Sequence, residues 1–319
     1  MKQTIDPGIG RPTVFFFDHL VYSHTTDKDG NPVDLELSLL CQMDRPQLQR
    51  ALGRSIPEEI PADAGARHGL RPAMIWFNGN GWRGIDKNAQ IGDLAFLAEH
   101  GYAVFCADYR TSAQAHFPAQ IIDAKTAVRF VRAQAGRHGI DPDRIGVMGR
   151  SAGGQISAML GLNDGKYLSD EWGSYSSEVN LVWDMFGPVD LEQDVRRNME
   201  AYANGTADTS RWTCVEQTHA GAYLGGSGEE LLRRAAEASP AHHVHDHMPP
   251  FLIMHGAADP AVPCTQSETL YENLLAAGPH NIADLYLLRG AGHGTPEFFA
   301  PQCQQIALDF LGQHLRANH

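Results

Sequence analysis

Apolar positions in this chain recur with two different periods, and the alternation between them organises most of its length. From Thr13 to His24 the run V-F-F-F-D-H-L-V-Y-S-H is rich in β-forming residues, and Val33 to Leu39 alternates as V-D-L-E-L-S-L. The D-K-D-G-N-P between them has turn chemistry, so the pair is expected to form an antiparallel hairpin at a sheet edge. Positions 46–72 are rich in Arg, Pro and Ala without strand character, and read as a surface excursion with one helical turn.

A regular pattern follows. Buried-type strands are predicted at Ala73 to Phe77, Ala103 to Ala107, Ile145 to Met148, Val182 to Phe186, Pro250 to His255 and Ala283 to Leu288. Helices are predicted at Ile91 to His100, Pro118 to His138, after Ser151, at Cys264 to Ala277, and from Pro296 to about Leu315. Strands alternating with helices of this length imply parallel crossovers and a sheet covered on both faces. In such a sheet, chemistry collects at the C-terminal strand ends. Residues 190–239 interrupt the alternation with charges, small residues and the aromatics Tyr202, Trp212 and Tyr223. They read as a cap-like helical insertion over the active face of a single domain spanning 1–319.

The densest signal is I-G-V-M-G-R-S-A-G-G-Q-I-S-A-M-L, residues 145–160. It reads as strand, tight turn and helix, with Ser151 at the turn and small neighbours at Gly149 and Gly153 leaving room for a strained backbone. The amide of Ala152, at the start of the helix, points where negative charge would develop. The competing reading is a glycine-rich turn without chemistry.

Composition narrows the field. With 319 residues a large core is within reach, and the formal charge of -13 argues against nucleic acid or an anionic membrane surface as partners. The first residues lack a secretory h-region and no stretch reaches the roughly 20 apolar residues of a membrane span, so the chain reads as cytosolic. Five scattered cysteines without C-x-x-C spacing read as reduced structural thiols.

A serine hydroxyl needs a histidine to take its proton and a carboxylate to orient that histidine. His293, in R-G-A-G-H-G after the last strand, and Asp259, in H-G-A-A-D-P after the strand before it, both stand past C-terminal strand ends. Their order along the chain, Ser, Asp, His, is that of the α/β-hydrolase arrangement. A local loop contact for His293 and a simple Asp-Pro turn for Asp259 are the alternatives. His242, His243, His245 and His247 have metal-like spacing but no Cys or helical i, i+4 partner, and are read as a solvated loop, with no metal assigned. Arg110 and Asp123 read as braces. Arg150 is placed inside the elbow with its direction open.

These segments resemble the α/β-hydrolase superfamily, and most closely the hormone-sensitive-lipase-like esterases and the bifunctional feruloyl and acetyl esterases. The similarity runs from about Ala73 to Leu160 and from Val179 to His293. It is carried by N-G-N-G-W, D-Y-R, F-P-A-Q-I-I-D-A-K-T-A-V-R-F-V-R, G-I-D-P-D-R-I-G-V-M-G-R-S-A-G-G, A-S-P and F-L-I-M-H-G-A-A-D-P-A-V-P. The resemblance implies an α/β-hydrolase fold and cofactor-free cleavage of carboxylic esters, with a small-molecule or oligosaccharide ester as partner. It makes Ser151 the nucleophile, Asp259 the orienting acid, His293 the base, and the amides of Asn80, Gly81 and Ala152 the oxyanion donors. Asn78 and Asn80 stand where the family's H-G-G-G-W has histidine and glycine. Asparagine tolerates φ > 0, so the loop can keep its conformation, and side chains turned into the pocket would read a substrate hydroxyl or carbonyl. Trp82 is read with equal weight as a ring-stacking subsite or as packing. Acetylated or aryl-acylated carbohydrates are the favoured substrates; amide hydrolysis with the same residues, and a non-catalytic binding role, are the rivals.

Overall fold

A computed structural model of the chain describes residues 3–4, 13–42, 49, 53, 69–84 and 86–315. The excursion expected over 46–72 lies largely outside the described residues. Eight strands form one sheet: β1 (Val14–Thr26), β2 (Pro32–Gln42), β3 (Arg71–Phe77), β4 (Ala103–Ala107), β5 (Ile140–Arg150), β6 (Leu181–Met185), β7 (Phe251–Gly256) and β8 (Ala283–Leu288). Their spatial order is β1-β2-β4-β3-β5-β6-β7-β8. The β1/β2 hairpin runs antiparallel at one edge and the remaining strands are parallel to one another.

Two cores follow from the period of two along the central strands. Ala73, Ile75 and Phe77 of β3 enter one, while Met74 and Trp76 enter the other. Helices α2 (Ala119–Ala133), α4 (Ala152–Gly161) and α8 (Thr265–Ala277) close the first face through Val128, Ile156 and Leu270. Helices α1 (Ile91–Glu99) and α9 (Pro301–His314) close the second through Leu97 and Phe310. A strand buried on both faces has no polar side to show, which is why these segments read as continuous apolar runs.

Three elements differ from the sequence expectation. The long helix after Pro118 steps at Gln134 (φ -93°, ψ 8°), and its last turn, α3 (Ala135–His138), contains Gly136 and is closed by Gly139 in the left-handed region at φ 64°. The elbow strand begins earlier than Ile145, because Ile140 already pairs with Arg71; the register then shifts across the segment holding Pro142, which has no N–H for the ladder. The closing helix starts at Pro301 rather than Pro296. Ala300, before that proline, is held extended at ψ 153°, so Pro296–Phe299 forms a separate 3₁₀ turn.

Residues 190–239 are helical: α5 (Leu191–Ala203), a 3₁₀ turn (Val215–Gln217), α6 (His219–Leu224) and α7 (Gly228–Glu237). They rest on the sheet-side core through Leu191, Val195, Tyr223 and Leu231. Among the described residues no helix is long and apolar enough to cross a membrane.

Candidate active site

Strand β5 delivers Ser151 at φ 52°, ψ -123°, and α4 begins at the next residue. The turn is as tight as its sequence implies. A Cβ on Gly149 would lie 2.3 Å from the Gly153 carbonyl oxygen, and one on Gly153 would lie 1.9 Å from that of Phe77. Only glycine fits either position, because the elbow is pressed against the end of β3. The Ser151 N–H donates to the Met185 carbonyl at 2.8 Å, tying the turn to β6.

The loops after β7 and β8 bring Asp259 and His293 to this point. Nδ1 of His293 is 2.7 Å from Oδ2 of Asp259, and Nε2 is 2.9 Å from Oγ of Ser151. A carboxylate only accepts, so Nδ1 carries the proton and Nε2 keeps its lone pair toward the serine hydroxyl. Asp259 is aimed by its other oxygen, which accepts from the amides of Ala261 (2.8 Å) and Val262 (3.0 Å). Its side chain is fully buried, while His293 stays 28% exposed. The ring of Phe186 stands edge-on to His293, centroids 4.8 Å apart. Beneath them the buried His255 donates from Nε2 to the Val262 carbonyl (2.9 Å) and accepts from Ser267 (2.7 Å); burial lowers its pKa, which keeps it neutral.

The loop after β3 faces the elbow. Asn80, Gly81 and Trp82 take φ of 87°, 59° and 55° in succession. The amides of Asn80, Gly81 and Ala152 meet no acceptor among the described residues, and all three residues line the same cavity as Ser151 and His293. The Asn78 side chain is fully engaged, whereas exposed Asn80, on the cavity wall, keeps Oδ1 without a partner among the described residues. Asn78 accepts from the Gly79 amide (2.9 Å) and Nε of Arg150 (3.0 Å), and donates to Gln90 (3.0 Å) and the Asp86 carbonyl (3.2 Å). Asn80 donates to the Gly84 carbonyl at 2.7 Å. Asn78 therefore ties the loop to both α1 and the elbow.

Trp82 is packing and not a stacking platform for a ligand ring. Only 2% exposed, it lies on Tyr223 at 4.2 Å and 4°, with Nε1 donating to Gln155 (3.1 Å). Arg110 and Asp123 brace each other, Nη2 to Oδ1 2.7 Å. The histidines at 242–247 do not converge: His242 pairs with Asp190 (3.1 Å), His245 reaches the Leu162 carbonyl (2.8 Å), and His247 stacks on His280 at 4.1 Å.

The cavity over Ser151 measures about 1010 Å³. Much of its wall comes from the insertion, including Leu191, Arg197, Tyr202, Arg211, Trp212 and His219. His219 and Arg211 were missed by sequence reasoning, since they sit in a segment with neither periodicity nor motif. Arg150 lines the same cavity from the elbow side. Chemically the site joins a hydroxyl, an imidazole and a carboxylate to a set of unengaged amides, an arrangement able to add the hydroxyl to a carbonyl and hold the resulting oxyanion.

A family model described as BD-FAE matches residues 61–274. Among curated proteins, Esterase LipC of Mycobacterium tuberculosis is 30% identical over 226 residues, covering 70% of this chain and 53% of LipC. The chain thus spans about half the length of the curated relatives it matches. Among solved structures, a truncated form of a carbohydrate esterase from gut microbiota is 27% identical, with a TM-score of 0.70 over 97% of this chain and 98% of that one. An esterase of Thermogutta terrifontis, 23% identical with a TM-score of 0.66 over 98% of each chain, shares the fold.

Proposed function

This chain belongs to the BD-FAE family, and from that membership we propose that it is a serine carboxylic ester hydrolase that removes acetyl or other small or aryl acyl groups from carbohydrate esters. The observation that carries the reading is the unbroken chain from Ser151 Oγ through His293 to Asp259, at 2.9 and 2.7 Å, opening onto one cavity. LipC is named an esterase and the gut-microbiota protein a carbohydrate esterase, which supports an ester substrate on a sugar.

In this mechanism Ser151 Oγ attacks the acyl carbon as Nε2 of His293 takes its proton. The tetrahedral oxyanion is held by the amides of Asn80, Gly81 and Ala152. Collapse breaks the bond to the alcohol, which leaves with the proton from His293, and the acyl group stays on Ser151. Water then repeats the sequence, with His293 again as base, and frees the acid. Asp259 keeps the imidazole in its productive tautomer and offsets its charge.

An activity screen on acetylated oligosaccharides, with product masses and a Ser151→Ala control, tests the reading. Loss of about 42 Da for each acetyl group cleaved through the acyl-enzyme is expected from the wild type alone. Equal rates for the two proteins remove Ser151 from the mechanism, and turnover of N-formylkynurenine or peptide anilides in preference to esters moves the assignment to amide hydrolysis.

A further inference from the structure

The insertion sets two nitrogen-bearing side chains, Arg211 and His219, side by side in the cavity wall. His219 lies against the loop after β3, so close that a Cβ on Gly81 would fall 2.3 Å from its Nδ1. That Nδ1 is 2.9 Å from Nε of Arg83, whose guanidinium also reaches the Gln217 carbonyl at 2.8 Å. An arginine only donates, so Nδ1 is the bare nitrogen of the ring and the proton sits on Nε2. Burial, with Arg83 and Arg211 nearby, pushes the pKa of His219 down to about 4, which keeps the ring neutral under ordinary assay conditions.

Nε2 in turn stands 3.4 Å from an Nη of Arg211. With hydrogen on both atoms, that approach sets donor against donor and leaves both N–H groups for a third party. Trp212 holds the pair in place. The guanidinium carbon of Arg211 lies 4.4 Å over its ring, and the His219 ring meets it edge-on at 5.0 Å.

Among the described residues neither Arg211 nor Arg150 forms an ion pair with a carboxylate, and Asp93 acts on Arg150 only at a distance. Of the acids on the cavity wall, Asp194 is paired with Arg197 at 2.7 Å, while exposed Asp208 accepts from the Ser210 amide at 2.9 Å and forms no ion pair with Arg211 among the described residues. Unpaired arginines in the cavity of a chain with formal charge -13 are not explained by a general surplus of positive charge.

We infer that Arg211 and Nε2–H of His219 bind a carboxylate on the substrate, so that the preferred esters are those carrying an acid group, either on the alcohol half, as in acylated uronic acids, or on the acyl half, as in half-esters of dicarboxylic acids. The planar fork of arginine suits a carboxylate, and the imidazole supplies one further directed donor. The inference rests on the ester-hydrolase reading and names its substrate class.

Two matched pairs test it, with kcat/KM normalised to alkaline hydrolysis: 4-nitrophenyl hydrogen succinate against 4-nitrophenyl butyrate, and 4-acetoxybenzoate against 4-methylphenyl acetate. In one pair the anionic ester is expected to be favoured by about 10- to 100-fold, the scale of a charge-assisted hydrogen bond. The pair that shows it locates the acid on the acyl or the alcohol half. That preference should fall at least about tenfold in Arg211→Gln, be partly retained in Arg211→Lys, and shrink with added salt. No anionic preference in either pair, or a preference unchanged in Arg211→Gln, overturns the inference. Calorimetric binding of glucuronate against glucose to Ser151→Ala protein reads the anion site without turnover. Arg211-dependent binding of glucuronate alongside absent ester hydrolysis retires the hydrolase reading and leaves the anion site standing; equal binding of the two sugars to wild-type and Arg211→Gln backgrounds counts against the site.

Discussion

Trp82 and Tyr223 lie face to face at 4.2 Å and 4°, and both donate to the same oxygen, Oε1 of Gln155, at 3.1 and 3.4 Å. The contact locks three separate parts of the fold together: the loop after β3, the insertion, and the elbow helix α4. Gln155 is fully buried and also donates to the Ala238 carbonyl at 2.8 Å. Replacing it by leucine orphans two buried donors and one acceptor. Gln155→Leu is expected to cost about 1–3 kcal/mol of stability per orphaned group at most, read by urea denaturation. In kinetics it should lower kcat more than it changes KM, because the loop carrying Asn80 and Gly81 loses its anchor. An unchanged kcat would mean that the stack is packing without influence on the loop.

Asp259 accepts from Nδ1 of His293 and thereby selects the tautomer that leaves Nε2 free for Ser151. An amide at that position offers a donor as readily as an acceptor, and the ring then turns its proton the wrong way. For Asp259→Asn the expected loss in kcat on p-nitrophenyl acetate is about 10³- to 10⁴-fold, with the circular dichroism spectrum preserved. Activity within a few-fold of wild type would place the orienting group elsewhere.

Gly81 has φ 59°, and a Cβ there would meet His219 at 2.3 Å. The methyl of Gly81→Ala must displace either the imidazole or the loop, and the loop amides move with it. Removing one well-placed oxyanion donor costs about 10²- to 10³-fold in kcat, and a loss on that scale is expected while the thermal midpoint changes little. The double variant Gly81→Ala with His219→Ala separates the two causes: relief of the clash should restore part of the activity, leaving the loss due to the backbone conformation.

Asp184 is fully buried under the elbow helix, with Oδ1 accepting from the Gly187 amide at 3.0 Å and Oδ2 without a partner among the described residues. Burial pushes its pKa up to about 7, against the smaller opposing pull of the Gly187 N–H. The native state therefore holds a proton that the unfolded chain releases near pH 4. Its stabilising contribution is complete below about pH 4, declines as pH rises toward 7, and is gone above that. At about 1.4 kcal/mol per pH unit the loss approaches roughly 4 kcal/mol. Asp184→Asn keeps the acceptor for Gly187 and cannot ionise. In urea titrations its advantage over wild type should be several kcal/mol larger at pH 8 than at pH 4.5, and parallel pH profiles would show that this carboxyl does not titrate.

Much of the frame was legible from local pattern alone. Strands β3, β4 and β7 announce themselves as apolar runs because each is covered on two faces, and the elbow at Ser151 does so because Gly149 and Gly153 have no substitute where chain presses on chain. Asp259 and His293 could be found by asking which acids and histidines follow a strand end. Breaks governed by single residues were harder. The proline at 301 was in plain view, yet its effect depends on the extended backbone of Ala300, and the step at Gln134 has no marker stronger than a nearby glycine.

The insertion is where local pattern fell silent. Whether Trp82 packs or binds depends on Tyr223, and the tautomer of His219 depends on Arg83; in each case the partner lies far along the chain and its approach leaves no period in the amino-acid order. Periodicity records which side of an element is dry, so it yields strands, helices and the loops between them. Hydrogen-bond direction, and hence the chemistry a cavity can perform, arises only when distant donors and acceptors are brought within about 3 Å of each other.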